Sequence, residues 1–159
     1  MTVVSDTGPV NYLLFIGRER LLEELFSEVE IPAEVRKELA KPQGPLKSIS
    51  RLCSLEGISI GTEDLRSSAD SQELKRLDDG EREAILLAEK LEADFVLMDE
   101  KAGRSVARRR GLEPKGTLGV LDAAGREGFV NVPAAVEALR GTTFRASPNL
   151  YDWLLNRHR

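Results

Sequence analysis

The sequence of 159 residues predicts an α/β layered fold with a central, mostly parallel sheet. Three observations lead there. Short apolar runs bounded by turn residues alternate along the chain with segments of helical periodicity. One run, Phe95-Val96-Leu97-Met98, contains no polar residue, as expected of a strand covered on both faces. No internal repeat or low-complexity block breaks the alternation. A single domain over residues 1–159 is therefore expected, with a helical tail over about 148–159.

The elements follow in order. Val3-Val4 leading into Asp6-Thr7-Gly8-Pro9 reads as a strand and a turn. Asn11 to Phe15 and Arg20 to Phe26 read as helical, the second with Leu21, Leu22, Leu25 and Phe26 at helical spacing. Val29-Glu30-Ile31 is a short strand, and Pro32 suits the first turn of a helix running to about Leu39. Lys41 to Pro45, with two prolines and a glycine, is a loop. Leu52 to Ile60 ends in a strand, Ile58-Ser59-Ile60, and Asp64 to Leu77 is polar and helical in part.

Asp78-Asp79-Gly80 marks a stop and restart, with Asp79 placed to cap a helix from Glu81 to Leu91. Ala84, Ile85, Ala88 and Leu91 form its apolar face, and Glu81 falls on that side by the 3.6-residue period. After the strand at Phe95 come a basic helix from about Gly103 to Arg110, a short strand near Glu113 to Lys115, and a helix from Thr117 to Glu127. The remainder holds a helix from Pro133 to Leu139, an extended Phe144-Arg145-Ala146-Ser147, and a last helix from Pro148.

Composition bounds the function. Hydrophobic content of 41% and charged content of 31% are ordinary for a water-soluble globular chain. No apolar run approaches the ~18 residues of a membrane span, and no signal-peptide pattern opens the chain, so a cytoplasmic location is expected. Cys53 is the only cysteine, which removes internal disulfides and thiolate clusters. His158 is the only histidine, which argues against a Ser-His-Asp triad, a Cys-His pair or a histidine-rich zinc site. A net charge of −4 leaves nucleic-acid binding open, because a local basic surface and metal ions can handle phosphates.

Four acids stand where the pattern would not put a solvent charge: Asp6, Glu38, Glu81 and Asp99. In parallel α/β sheets ligands bind beyond the carboxyl ends of the strands. Asp6 and Asp99 each close an apolar run at that end. Turn chemistry is the plainer role for Asp6, and capping of the following helix for Asp99. Glu81 shares the apolar face of its helix, whereas Glu83 points elsewhere and reads as solvated or supporting. Glu38 is a helix glutamate with Glu34 as its rival, and Glu100 is a further oxygen or a cap. Brought together, these side chains would form an oxygen-only pocket suited to Mg²⁺ or Mn²⁺.

These residues carry a family resemblance. Val3-Val4-Ser5-Asp6-Thr7-Gly8-Pro9 resembles the first motif of the PIN-domain nucleases, and Ile31-Pro32-Ala33-Glu34-Val35-Arg36-Lys37-Glu38-Leu39 the second. Asp79-Gly80-Glu81-Arg82-Glu83-Ala84-Ile85 is similar to the third, and Ala93-Asp94-Phe95-Val96-Leu97-Met98-Asp99-Glu100 to the fourth. Gly116-Thr117-Leu118-Gly119-Val120-Leu121 resembles a signature of a prokaryotic branch, long labelled a domain of unknown function, related to VapC-type toxins. The resemblance covers roughly Thr2 to Leu150.

It implies a three-layer α/β/α fold and an endoribonuclease using Mg²⁺ or Mn²⁺. It further implies RNA as substrate, a small antitoxin protein as partner, and a homodimer built on the helices around Tyr12 to Phe26 or on the tail with Trp153. Asp6 and Asp99 would bind metal directly, and Glu38 and Glu81 directly or through water. Many members have Asp where Glu81 stands, and often Asp where Glu100 stands.

Thr7 and Thr117 are candidates to hydrogen-bond a carboxylate or a phosphate, with simple helix capping as the plainer role. Lys101, Arg104 and Arg108 open a basic run continued by Arg109 and Arg110, and could guide a phosphate backbone or simply solvate a helix end. At 5% aromatics no stacking platform for bases is visible. Two rival functions remain: a silent PIN-like scaffold that binds a partner, and a phosphatase with Asp6 as nucleophile. The phosphatase would ordinarily want an acid where Gly8 stands.

Overall fold

The computed structural model describes residues 1–41, 48–62, 64–65 and 71–159, with Ser48 described by its backbone alone. Five strands form one sheet: β1 (Thr2–Ser5), β2 (Glu28–Ile31), β3 (Ile58–Ile60), β4 (Phe95–Leu97) and β5 (Pro114–Lys115). Their spatial order is β3-β2-β1-β4-β5, and every pairing is parallel, so the sheet is wholly rather than mostly parallel. The chain therefore reverses its direction of travel across the sheet between β1 and β4. At such a reversal the connections leave to opposite sides and open a crevice at the strands' carboxyl ends.

Alternating side chains serve two separate cores, as the two-residue strand period requires. Val3, Val29, Ile31 and Leu97 join a cluster with α1 (Thr7–Phe15), α2 (Leu21–Leu25), α3 (Ala33–Leu39), α4 (Ser48–Cys53), α8 (Thr117–Arg126), α9 (Val132–Arg140) and α10 (Pro148–Arg157). Val4, Val96 and Met98 join the other, with α5 (Gln72–Lys75), α6 (Asp79–Leu91) and α7 (Lys101–Arg109). The result is three layers, α/β/α.

Local chemistry moves several boundaries. The stretch Thr7-Gly8-Pro9, expected as a turn, is the first turn of α1 with Asp6 at the N-cap position. Proline is tolerated there because the N–H groups of a first turn have no intrahelical acceptor. Pro32 sits at the N-cap of α3 rather than inside it. The cap of α6 is Asp78, not Asp79: its carboxylate accepts from the Glu81 N–H at 2.8 Å. In the polar stretch from Asp64 to Leu77, helix is confined to α5, capped by Ser71. The basic helix α7 starts two residues early, at Lys101, and α4 had no counterpart in the sequence reading. The loop expected at Lys41 to Pro45 lies, beyond Lys41, outside the described residues.

No helix among the described residues is long and apolar enough to cross a membrane.

Candidate active site at the carboxyl edge of the sheet

Asp6 follows β1 directly, and its backbone N–H donates to the Leu97 carbonyl at 2.9 Å, which ties the exit of β1 to the end of β4. Asp99 stands two residues beyond β4. The two acids thus flank the reversal point because adjacent parallel strands end in register there. Although Asp6 occupies the N-cap of α1, its side chain makes no cap hydrogen bond. The plainer role considered for it, a turn residue, gives way to the N-cap position of a helix that its side chain leaves uncapped. Neither does Asp99 cap α7: that position belongs to Glu100, which is exposed and also makes no side-chain cap bond.

Glu38 reaches the same space from α3. Its Oε2 accepts from Thr7 Oγ1 at 2.7 Å. A Cβ added at Gly80 would stand 3.1 Å from Asp6 Oδ1, 3.3 Å from Glu38 Oε1 and 3.5 Å from Thr7 Oγ1. The missing side chain of Gly80 therefore leaves open a gap edged by three oxygens. Asp99 is held from the other side by Thr117, whose backbone N–H donates to Oδ1 and whose hydroxyl donates to Oδ2, each at 2.7 Å. Both threonines thus orient carboxylates; neither is a side-chain cap. Gly8 and Gly116 stand close to Asp99 in the same manner, at 3.3 Å from Oδ2 and 2.9 Å from Oδ1 for an added Cβ.

Glu81 is buried at 7% exposure, and its Oε2 has no hydrogen-bond partner. It points toward Gly103 of α7, where an added Cβ would meet Oε2. Glu83, expected as solvated or supporting, is not solvated: it is 1% exposed, with Oε1 also unpartnered. Its carboxyl is raised by burial and by the charges of Glu34 and Asp64, which separates it from the Asp6 group. Sequence reasoning missed Asp78. It is the hub of local charge, acting on both Asp6 and Glu81. The signal was present: Asp78-x-x-Glu81 has the spacing of a capping box.

The crowding shows in the acidities. Burial pushes the Asp6 carboxyl up to about 7 from 3.8; the Thr7 backbone N–H opposes this, and the charges of Asp78, Glu38 and Asp99 add to it. Glu81 is raised by burial, then by its hydrogen bond and charge interaction with Asp78, with Asp6 and Glu100 adding. Burial also raises Asp99, while Thr117 and Arg104 hold it down. Carboxylates pressed together in this way hold protons to avoid mutual repulsion, and an arriving cation takes over that role and releases the protons.

Helices α1, α3, α7 and α8 follow β1, β2, β4 and β5 directly, so each begins at this edge. Helix N-termini favour bound anions, including phosphate.

The donor set fits a hard divalent cation. All the converging groups are carboxylate or hydroxyl oxygens, one buried carboxylate oxygen is orphaned, and the Gly80 gap is open. Among the described residues no group of three or more His, Cys, Asp or Glu side chains is placed to hold a metal ion together. Mg²⁺ ordinarily needs only one or two carboxylates plus water, so the open arrangement suits it.

Beside Asp99 a cleft of about 470 Å³ runs along α7. Lys101, Arg104 and Arg108, spaced i, i+3, i+7, line it from one helix face. The basic run divides here. Arg109 pairs with Glu73 and Arg110 with Glu89, while Lys101, Arg104 and Arg108 form no salt bridge among the described residues. Arg104 donates to the Met98 carbonyl at 3.2 Å. Burial and the neighbouring charge of Arg108 lower its pKa.

Among curated proteins, no sequence matches this chain. A family model does match: DUF3368, described as a PIN domain, over residues 2–159. With nearly the whole length matched and an all-parallel sheet gathering acids at its reversal point, the chain belongs to this PIN-domain family, whose members are generally nucleases that use divalent metals.

Proposed function

We propose that this protein is a Mg²⁺- or Mn²⁺-dependent endoribonuclease whose reaction takes place between Asp6, Glu38, Glu81 and Asp99. The observation that carries the reading is the pairing of two opposite surfaces across one edge. A buried and a half-buried carboxylate, at the ends of β1 and β4, adjoin a stripe of cations on α7 without salt bridges among the described residues. A phosphodiester needs both: cations to hold the backbone, and a carboxylate site for the metal where the bond breaks.

Asp6 and Asp99 would hold the metal directly, with Glu38 and Glu81 holding it directly or through water. A bound metal would supply a nucleophilic hydroxide at neutral pH and neutralise charge on the phosphoryl oxygens. The protein's own residues do the rest. Thr117 fixes both oxygens of Asp99, and Thr7 fixes Glu38, so neither carboxylate has to be ordered when substrate binds. Arg104 and Arg108, with Lys101, draw a phosphate to the lip of the site, and the helix N-termini favour its charge. Glu100, exposed at the start of α7, adds negative charge near Glu81 and Asp99 and acts as an accessory group.

A toxin role, with a small antitoxin as partner, rests on the resemblance to VapC-type toxins alone. It predicts an antitoxin gene beside this one.

The test is cleavage of structured and unstructured RNA with Mg²⁺, with Mn²⁺ or with EDTA, beside an Asp6→Asn variant. Cleavage should require the metal and fall by at least ~100-fold in the variant. Equal cleavage by wild type and Asp6→Asn would overturn the reading, and no cleavage of any RNA by the wild type would favour a binding scaffold.

A further inference from the structure

The cleft beside Asp99 has two unlike walls. Lys101, Arg104 and Arg108 form the α7 wall, whereas Leu150 and Trp153 contribute exposed apolar surface from α10, above the core residue Leu118 of α8. Glycine at the floor leaves room for the α7 wall: a Cβ at Gly116 would come within 2.7 Å of the Arg104 guanidinium. Core packing does not explain the apolar wall. On α10, Tyr151 and Leu154 are the residues that fill the core, while Leu150 and Trp153, three apart on another face, are each 44% exposed. Large apolar side chains left facing a charged cleft mark a binding surface. The ligand must then present anionic charge along one edge and flat apolar surface along the other. An unpaired nucleic-acid strand does so, with phosphates on one side and base faces on the other; a duplex hides its base faces.

We infer that Trp153, flanked by Leu150, is a nucleobase subsite that stacks an unpaired base of the strand while Arg104 and Arg108 hold its phosphates. The subsite rests on the nuclease reading for the identity of the strand. It makes Trp153 a substrate-positioning residue rather than a catalytic one. The Trp153 ring is already stacked with the Arg157 guanidinium at 5.0 Å, which steadies it for a second partner.

Trp153 is the only tryptophan in the chain, so its fluorescence reports the subsite alone. The experiment titrates the full-length protein in EDTA with three labelled probes: a short unstructured RNA, the same RNA with abasic sites throughout, and a blunt duplex of that sequence. Fluorescence anisotropy of the label follows binding while tryptophan emission follows stacking. The unstructured RNA should quench Trp153, and the abasic RNA should bind without quenching. Trp153→Ala should weaken binding of the unstructured RNA roughly tenfold, with Trp153→Phe restoring most of it.

In the metal-loaded enzyme the same loss should appear in KM with kcat little changed. Quenching by an RNA that is never cut would uphold the subsite and overturn the nuclease reading. Cutting by Trp153→Ala with wild-type KM, or equal quenching by the abasic RNA, would overturn the subsite alone. A change in sedimentation of Trp153→Ala with unaltered RNA affinity would make the wall a self-association surface, and would also overturn it.

Discussion

At the scale of single residues, Asp6 carries the most information. It is 7% exposed, sits at a helix N-cap without capping, and has its carboxyl pushed up to about 7. The folded state thus holds a proton that the unfolded chain releases near 3.8. By linkage, this protonation supports folding fully below pH 3.8, and the support is lost as pH rises to about 7. At about 1.4 kcal/mol per pH unit, the ceiling on the loss is roughly 4 kcal/mol. Metal-free wild type should therefore melt at a lower temperature at pH 8 than at pH 5, and Asp6→Asn should reduce that slope, with Glu81, raised in the same direction, carrying the rest. Addition of Mg²⁺ should restore wild type at pH 8 and leave Asp6→Asn unmoved. Thermal denaturation in EDTA and in Mg²⁺ checks all three; a wild-type stability independent of pH across that window would refute the acidity assigned to Asp6.

At the scale of elements, helix ends are the recurring device. Asp78, Ser71, Asn131 and Ser147 each accept a hydrogen bond from the backbone N–H three residues on, and all are ordinary capping types. The exception is the C-terminal end of α6, where Glu92 adopts a left-handed conformation at φ 51°. The Ala93 N–H then reaches back to the Ala88 carbonyl at 2.9 Å, a geometry that glycine adopts without strain. Glu92→Gly should raise stability by about 0.5–1 kcal/mol in chemical denaturation without touching the site; a loss of stability would contradict this account of the turn.

How much could be read beforehand also separates by element. Strands β1, β2, β3 and β4 were legible because an apolar run with turn residues at its ends has few alternatives. The starts of α1, α6 and α7 were misjudged. Asp, Thr, Gly and Pro are both turn residues and first-turn residues, and only the tertiary register tells which role is taken. In the candidate site, strand ends and periodicity were enough to single out Asp6, Asp99 and Glu81. Glu38 depended on motif resemblance. Its contact with Thr7 spans 31 residues of sequence, which no local pattern encodes. The burial of Glu83 and the hub position of Asp78 likewise depend on how α3, α6 and β1 pack together.

At the scale of the whole molecule, topology creates the site and charge distribution gives it a direction. The order β3-β2-β1-β4-β5 puts the two central strand ends side by side, and α1 and α7 start directly beyond them. A net charge of −4 coexists with a basic lip because acids on α5 and α6 neutralise Arg109 and Arg110, while the three cations facing the cleft have no such partners among the described residues. The Asp122 carboxylate on α8, paired with Arg157 at 2.9 Å and bonded to His158 at 2.8 Å, fastens α10 to the body and so fixes the apolar wall of that cleft. Cation capture by the acids at the sheet edge is the central claim, and it can be measured without RNA. Mn²⁺ should be titrated into the RNA-free protein and followed by the paramagnetic resonance of the free ion, for wild type, Asp6→Asn and Asp99→Asn. Wild type should remove Mn²⁺ from solution with a saturable stoichiometry, and each variant should weaken that binding at least tenfold; undiminished Mn²⁺ binding by both variants would contradict the account.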